Sequence, residues 1–152
     1  MLRFRNTLTG ELEPFIPLEE GRVRIYACGP TVWNFAHIGN FKTFVFYDVL
    51  RRYMRFRGFE VTEVMNVTDV DDRIIEQTIE LKLSLEELTT KELNFFLEDM
   101  ATLNIEQPEV MPKATEHISE MVALVEKLLA NGMAYEADGS IYFKISAFDG
   151  YG

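Results

Sequence analysis

Residues 22–40 read RVRIYACGPTVWNFAHIGN, and the change of pattern inside this stretch decides the fold. Up to Ala27 the residues alternate, with Val23, Ile25 and Ala27 on one side, as a strand with one packed face requires. Cys28-Gly29-Pro30-Thr31 then breaks the strand, because proline has no amide to donate and glycine permits a sharp turn. From about Gly39 to Phe56 the spacing becomes helical. Phe46, Val49, Leu50 and Tyr53 form the apolar face, and Asp48, Arg51, Arg52 and Arg55 the opposite one. Gly58 stands where a glycine commonly ends a helix. Glu60 to Asn66 (EVTEVMN) reads as a second strand. Strand, helix and strand in that order predict a right-handed parallel crossover, the start of an α/β fold.

Further along, two more helices are expected, one after Asp69 and one opening near Ser84, where Ser84 and Glu87 spell a capping box. Acids at 69, 71 and 72 complement a helix dipole, with Thr68 or Asp69 as the cap; a magnesium cluster is the competing reading. Pro108 and Pro112 bracket an extended connector. A helix from about Thr115 to Asn131 is expected to bury Ile118, Met121, Val122, Val125 and Leu129, with Gly132 ending it. Asp138-Gly139 between Tyr135 and Ile141 to Ile145 signals a hairpin.

Composition narrows the function without naming it. The 152 residues are 47% hydrophobic, enough for a substantial core. No apolar run approaches a membrane span, and the opening MLRFRNTLTG lacks the apolar stretch of a secretory signal. Cys28 is the one cysteine, so no intrachain disulfide can form, which suits a reducing, cytoplasmic setting. A net charge of −10 argues against nucleic-acid binding by this segment alone, although Arg51, Arg52, Arg55 and Arg57 cluster.

The chemistry concentrates at Cys28 to Asn40, between the first strand and the N-terminus of the following helix. Ligands of open α/β sheets bind there, and helix amides attract anions. Neither GxGxxG nor GxxxxGK[ST] occurs, so the common dinucleotide and Walker loops are absent. His37 and Asn40, three apart, span the first turn and can face one anion. Two preorganised N–H donors there could stabilise charge growing on a phosphate under attack, and losing one such donor costs about 2.7–4 kcal/mol of barrier. Gly39 would let a nucleotide approach the backbone. On the residues alone, a capped helix start with a hydrogen-bonded histidine is the simpler account. Likewise a lone cysteine after a strand is more often a small buried residue than a ligand. Trp33 could wall a pocket or pack in the loop, and His117 reads as a surface or packing residue.

The segment CGPTVWNFAHIGN resembles the signature of cysteinyl-tRNA synthetases, class I enzymes whose HIGH-type motif reads HIGN here. The likeness continues through FKTFVFYDVLRRYMRFRGFEVTEVMNVTDVDD and again in PEVMPKATEHI, spanning nearly the whole chain. The resemblance implies a doubly wound, Rossmann-like parallel-sheet nucleotide-binding domain. Residues 1–112 would form the N-terminal part of the catalytic domain, and 113–152 the beginning of a helical and hairpin connective insertion. It implies adenylation roles for His37 and Asn40, and an ATP site of Pro30, Thr31, His37, Gly39 and Asn40. Gly29, Thr31 and Thr68 would line the pocket for substrate cysteine, and Cys28 would be one of four protein ligands to a zinc ion that binds the substrate thiol.

Thiolate sulfur is a far better zinc ligand than a hydroxyl, so such a metal would separate cysteine from serine. The implied partners are cysteine, ATP with Mg²⁺, and tRNA(Cys), the last contacted mainly by regions outside this chain, with no membrane. The implied reaction is activation of cysteine to its adenylate and transfer to tRNA. The lysine-rich KMSKS-type loop of that family does not occur in the chain, so the expectation is that it does not aminoacylate tRNA by itself. A paralogous cysteine ligase with an amino-sugar acceptor and a non-catalytic nucleotide-binding module of the same fold are the alternatives.

Overall fold

The computed structural model describes residues 2–151. The chain divides between Pro112 and Lys113 into two compact units.

The first unit opens with a small antiparallel ribbon that sequence reasoning did not anticipate, β1 (Arg3–Arg5) paired with β2 (Leu12–Pro14). The alternating stretch becomes β3 (Arg22–Ala27), with Val23 and Ala27 buried and Ile25 half-buried on the expected side. The helix α1 (Ile38–Phe56) follows, then β4 (Glu60–Met65), which pairs with β3 in parallel from Arg22↔Glu60 to Ala27↔Met65. The connector adds a third extended segment beside β4, where Val110 bridges Val64 in parallel and its amide reaches the Glu63 carbonyl at 3.2 Å. Two helices complete the unit, α2 (Asp72–Leu81) and α3 (Leu85–Thr102). Ser84 and Glu87 form the predicted capping box of α3. The cap of α2 is Asp71, which accepts from the Arg73 amide, and not Thr68 or Asp69. The Thr68 backbone instead pairs with the loop after β3, and Asp69 is buried.

The face of α1 that packs differs from the expectation. Phe46 and Val49 are each 58% exposed, whereas Phe41, Phe44, Asp48, Arg51 and Met54 are buried. Arg51 is fully enclosed, with ion pairs to Glu63 at 3.1 Å and Asp48 at 3.3 Å. It also donates to the carbonyl oxygens of Glu106 at 2.6 Å and Gln107 at 2.9 Å. Arg52 and Arg55 continue the network to Asp48, Glu106 and Glu109. The arginine cluster therefore ties α1 to β4 and the connector. A buried charge must be paired and hydrogen-bonded to be tolerated, and this one is, apart from its Nε. Burial pushes the Glu63 carboxyl above the ordinary glutamate range, an effect Arg51 opposes. Burial also works upward on Glu109, but the bond from the Glu63 amide and the charges of Arg51 and Arg55 hold it below that range.

Apolar packing supplies two clusters around this network. Val23, Met54 and Val61 are covered by Phe4, Phe15 and Phe59, which explains why the β1–β2 ribbon is ordered. Ala27, Phe41, Phe44, Met65, Phe96 and Met100 bind α3 beneath the loop after β3. Phe96 stacks on Phe41 (centroids 5.5 Å) and meets Phe44 edge-on (4.9 Å), contacts worth about 0.5–1.5 kcal/mol each beyond area burial.

The second unit holds a turn of 3-10 helix (Ala114–His117), the helix α4 (Ile118–Ala130) and a hairpin of β5 (Ala134–Ala137) and β6 (Ser140–Phe143). Asp138 and Gly139 both take positive φ (52° and 76°), as the two-residue turn demands. The expected burial along α4 is not found. Ile118, Met121, Val122 and Leu129 are exposed and Val125 is half-buried. His117 lies at the surface, 3.9 Å from Glu120.

Candidate functional site

The loop leaving β3 is held by a continuation of the parallel ladder past the strand ends. Thr68 donates its amide to the Pro30 carbonyl (2.9 Å), and Val32 donates back to the Thr68 carbonyl (3.1 Å), pairing Thr31 with Thr68. Proline can only accept in such a ladder, and here that is all it does. Asn66 is the hub. Its Oδ1 accepts from the Gly29 amide (3.1 Å) and the Tyr26 hydroxyl (3.2 Å), while its Nδ2 donates to Thr68 Oγ1 (3.1 Å). Gly29 is required by contact: a Cβ there would lie 1.7 Å from the Asn66 carbonyl oxygen. Gly29, Thr31 and Thr68 are thus brought together.

His37 is the N-cap of α1. Its Nδ1 accepts from the Gly39 amide at 3.0 Å, and Asn40 Oδ1 accepts from the His37 amide at 3.1 Å. The simpler account of H-x-G-N is therefore true as far as it goes, and it has a consequence. With Nδ1 committed as an acceptor, the neutral imidazole carries its proton on Nε2. With Oδ1 used, the two hydrogens on Asn40 Nδ2 stay available. The cap consumes both acceptors and leaves both donors exposed. No acidic residue occupies the first turn of α1, so the positive end of its dipole is not offset there.

Gly39 serves His37 directly. A Cβ on it would come within 2.7 Å of His37 Cε1 and 2.9 Å of Nδ1, forcing the ring off the cap.

Beside these groups lies a cavity of about 360 Å³, lined by Gly29, Pro30, Thr31, His37, Asn40 and Phe96 among others. Trp33 is also a wall residue, and the Arg73 guanidinium lies over its ring, 5.7 Å from the centroid. Sequence reasoning missed Asn66, Arg73 and Glu92. Asn66 carried a usable signal, a polar residue at the carboxyl end of a strand. The other two come from later helices, where no local pattern marks them. Thr68, Gly39 and Cys28 do not line the cavity.

Cys28 is exposed, with its sulfur 3.9 Å from the Gly29 carbonyl, so it is not a buried packing residue. Among the described residues no group of three or more His, Cys, Asp or Glu side chains could hold a metal ion. The thiol is open to a metal, but these residues do not form a zinc site by themselves. The aspartates at 69, 71 and 72 likewise make no metal cluster; Asp71 caps α2 and Asp69 is buried. No helix among the described residues is long and apolar enough to cross a membrane.

A parallel β-α-β unit with a cavity at its carboxyl edge and an HxGN helix start is the arrangement expected of the catalytic domain of a class I aminoacyl-tRNA synthetase. The fold matches that of Mycobacterium tuberculosis methionyl-tRNA synthetase in complex with methionyl-adenylate, with a TM-score of 0.65 over 80% of this chain and 28% of that one. At 12% identity this likeness speaks for the fold alone.

Sequence carries the assignment further: the chain belongs to the family described as tRNA synthetases class I (C) catalytic domain, whose model matches residues 14–152. It is similar to the cysteine–tRNA ligases of Solibacter usitatus (50% identity over 99% of this chain and 32% of the relative) and Brachyspira hyodysenteriae (50%, 98% and 31%). It is also similar to that of Thermococcus onnurineus (44%, 99% and 32%). The chain spans about a third of the length of these curated relatives.

Proposed function

We propose that the chain supplies the ATP- and cysteine-binding portion of a cysteine–tRNA ligase. The observation that carries this reading is the capping box at the start of α1, which leaves His37 Nε2–H and Asn40 Nδ2–H as outward donors beside the cavity. In the proposed first step a carboxylate oxygen of cysteine attacks the α-phosphorus of ATP, taken up with Mg²⁺. The bond to the bridging oxygen breaks and pyrophosphate leaves. His37 and Asn40 donate to the non-bridging oxygens as negative charge grows on them. Both are fixed in advance by the cap, so little reorganisation is needed at the moment of reaction. Pro30 and Thr31 belong to the ATP side of this site, which Gly39 serves through His37 without lining the cavity. Gly29, Thr31 and Thr68, held together through Asn66, would receive the amino acid.

The acyl group then passes to the terminal ribose of tRNA(Cys). Arg51, Arg52 and Arg55 are engaged by carboxylates, so the contacts to tRNA phosphates would fall largely outside this chain. Zinc enters only through Cys28, whose accessible sulfur would be one ligand among several supplied from elsewhere; bound there, the metal would read the substrate thiol.

The test is a chimera in which residues 1–152 replace the matching segment of the Solibacter usitatus relative. Cysteine-dependent ATP–pyrophosphate exchange is the expected result, with His37→Ala abolishing it. A chimera that folds and exchanges with no amino acid, or equally with serine, would overturn the reading.

A further inference from the structure

Glu92 of α3 lines the cavity with only 6% of its surface exposed, and its Oε2 has no hydrogen-bond partner among the described residues. Its other oxygen is 3.7 Å from Lys91 Nζ, a side chain that is 55% exposed. Arg73 also borders the cavity, yet its guanidinium rests over Trp33 and makes no ion pair with Glu92 among the described residues. A buried carboxylate with an unanswered oxygen is costly, because it has given up water without gaining a partner. Such a cost persists where a ligand relieves it.

What relieves it must donate hydrogen bonds and carry positive charge. A phosphate would meet repulsion from Glu92, so this carboxylate asks for a ligand group of different chemistry from the one the donors of His37 and Asn40 ask for. We infer that Glu92 provides the counter-charge for a protonated primary amine bound in this cavity. Taking that amine as the α-ammonium of the amino-acid substrate rests on the cysteine-ligase reading. The amine subsite itself does not.

Trp33, the chain's one tryptophan, borders the same cavity and its indole N–H resonance reports occupancy. The labelled chain is titrated at neutral pH with cysteine, cysteamine, ethylamine and 3-mercaptopropionate. Cysteine and cysteamine are expected to shift the resonance, and 3-mercaptopropionate, which lacks the amine, is not. Glu92→Gln should weaken the amines by about tenfold or more, the scale of a lost hydrogen bond to a charged group. Lys91→Ala should leave them unchanged.

Equal binding of ethylamine, cysteamine and cysteine would keep the amine subsite and remove cysteine as its special occupant. The inference is overturned if 3-mercaptopropionate binds as well as cysteamine, if no amine shifts the resonance, or if a folded Glu92→Gln chain binds cysteamine unaltered.

Discussion

Gly39→Ala separates the structural and chemical uses of the α1 cap. The new Cβ would stand 2.7 Å from His37 Cε1 and 2.9 Å from Nδ1, so the ring must rotate out of the cap. Losing an N-cap bond costs about 0.5–2 kcal/mol of stability. Alanine in a helix returns about 0.8–1.0 kcal/mol relative to glycine. The two nearly cancel, and urea unfolding should move by no more than about 1 kcal/mol. Chemistry has no such compensation. A rotated ring withdraws the Nε2 donor, and loss of one preorganised donor costs about 2.7–4 kcal/mol of barrier, or 10²–10³ in rate. Cysteine-dependent ATP–pyrophosphate exchange in the chimera should therefore collapse while stability holds. Because Gly39 acts through His37, adding Gly39→Ala to His37→Ala should change little more. Exchange within about a factor of three of the parent in Gly39→Ala would refute the argument, since the donor could then not be needed where the cap puts it.

Other perturbations test the frame beneath the site. Arg51→Met should destabilise the first unit by about 3–5 kcal/mol in urea, because it strands the buried Glu63 without its ion-pair partner. Arg52→Ala, at a half-exposed position, should cost distinctly less, and equal losses would contradict the network's asymmetry. Gly29→Ala should destabilise by about 3 kcal/mol or prevent folding, since its Cβ meets a backbone carbonyl that cannot rotate away. The raised Glu63 carboxyl gives a pH signature. A carboxyl that holds its proton more tightly when folded adds stability at low pH, and that contribution is lost as pH rises from the ordinary glutamate range through the raised value. Parent stability minus that of Glu63→Gln should fall across this window; a flat or rising difference would contradict the burial argument. Glu109→Gln should give the opposite slope, because its carboxyl is lowered.

The change of period at residues 22–40 was enough to place β3 and the start of α1, the stretch EVTEVMN placed β4, and the Ser84–Glu87 and Asp138–Gly139 signals located a helix start and a turn. These are local patterns, complete within a few residues. The packed face of α1 was not legible in the same way. Periodicity divides a helix into two faces without saying which one has a partner, and the partners of Arg51 lie on β4 and in the connector. Without Glu63, Glu106 and Glu109 in view, an arginine cluster reads as solvated or phosphate-seeking. The exposed apolar residues of α4 repeat the lesson with the opposite sign. The site divides similarly: His37, Gly39 and Asn40 stand in one turn and announce themselves, whereas Arg73 and Glu92 reach the cavity from separate helices.

Of the two accounts of H-x-G-N offered by the sequence, the capped helix start is what the structure shows, and the proposed phosphate-facing donor pair is compatible with it. Capping uses Nδ1 of His37 and Oδ1 of Asn40, the only acceptors these neutral side chains can bring to the turn. What is left facing outward can only donate. His37 in this tautomer has no free lone pair with which to take a proton, so general-base catalysis is closed to it while the cap stands. Stabilising negative charge is the chemistry that is open, and it needs no proton transfer, only position. That position is set at both ends of α1. The Arg51 network fixes the helix to the sheet near one end, and the ladder through Thr68 fixes the loop that delivers the other. A site built this way should be insensitive to which base is present in solution and acutely sensitive to a displacement of the ring.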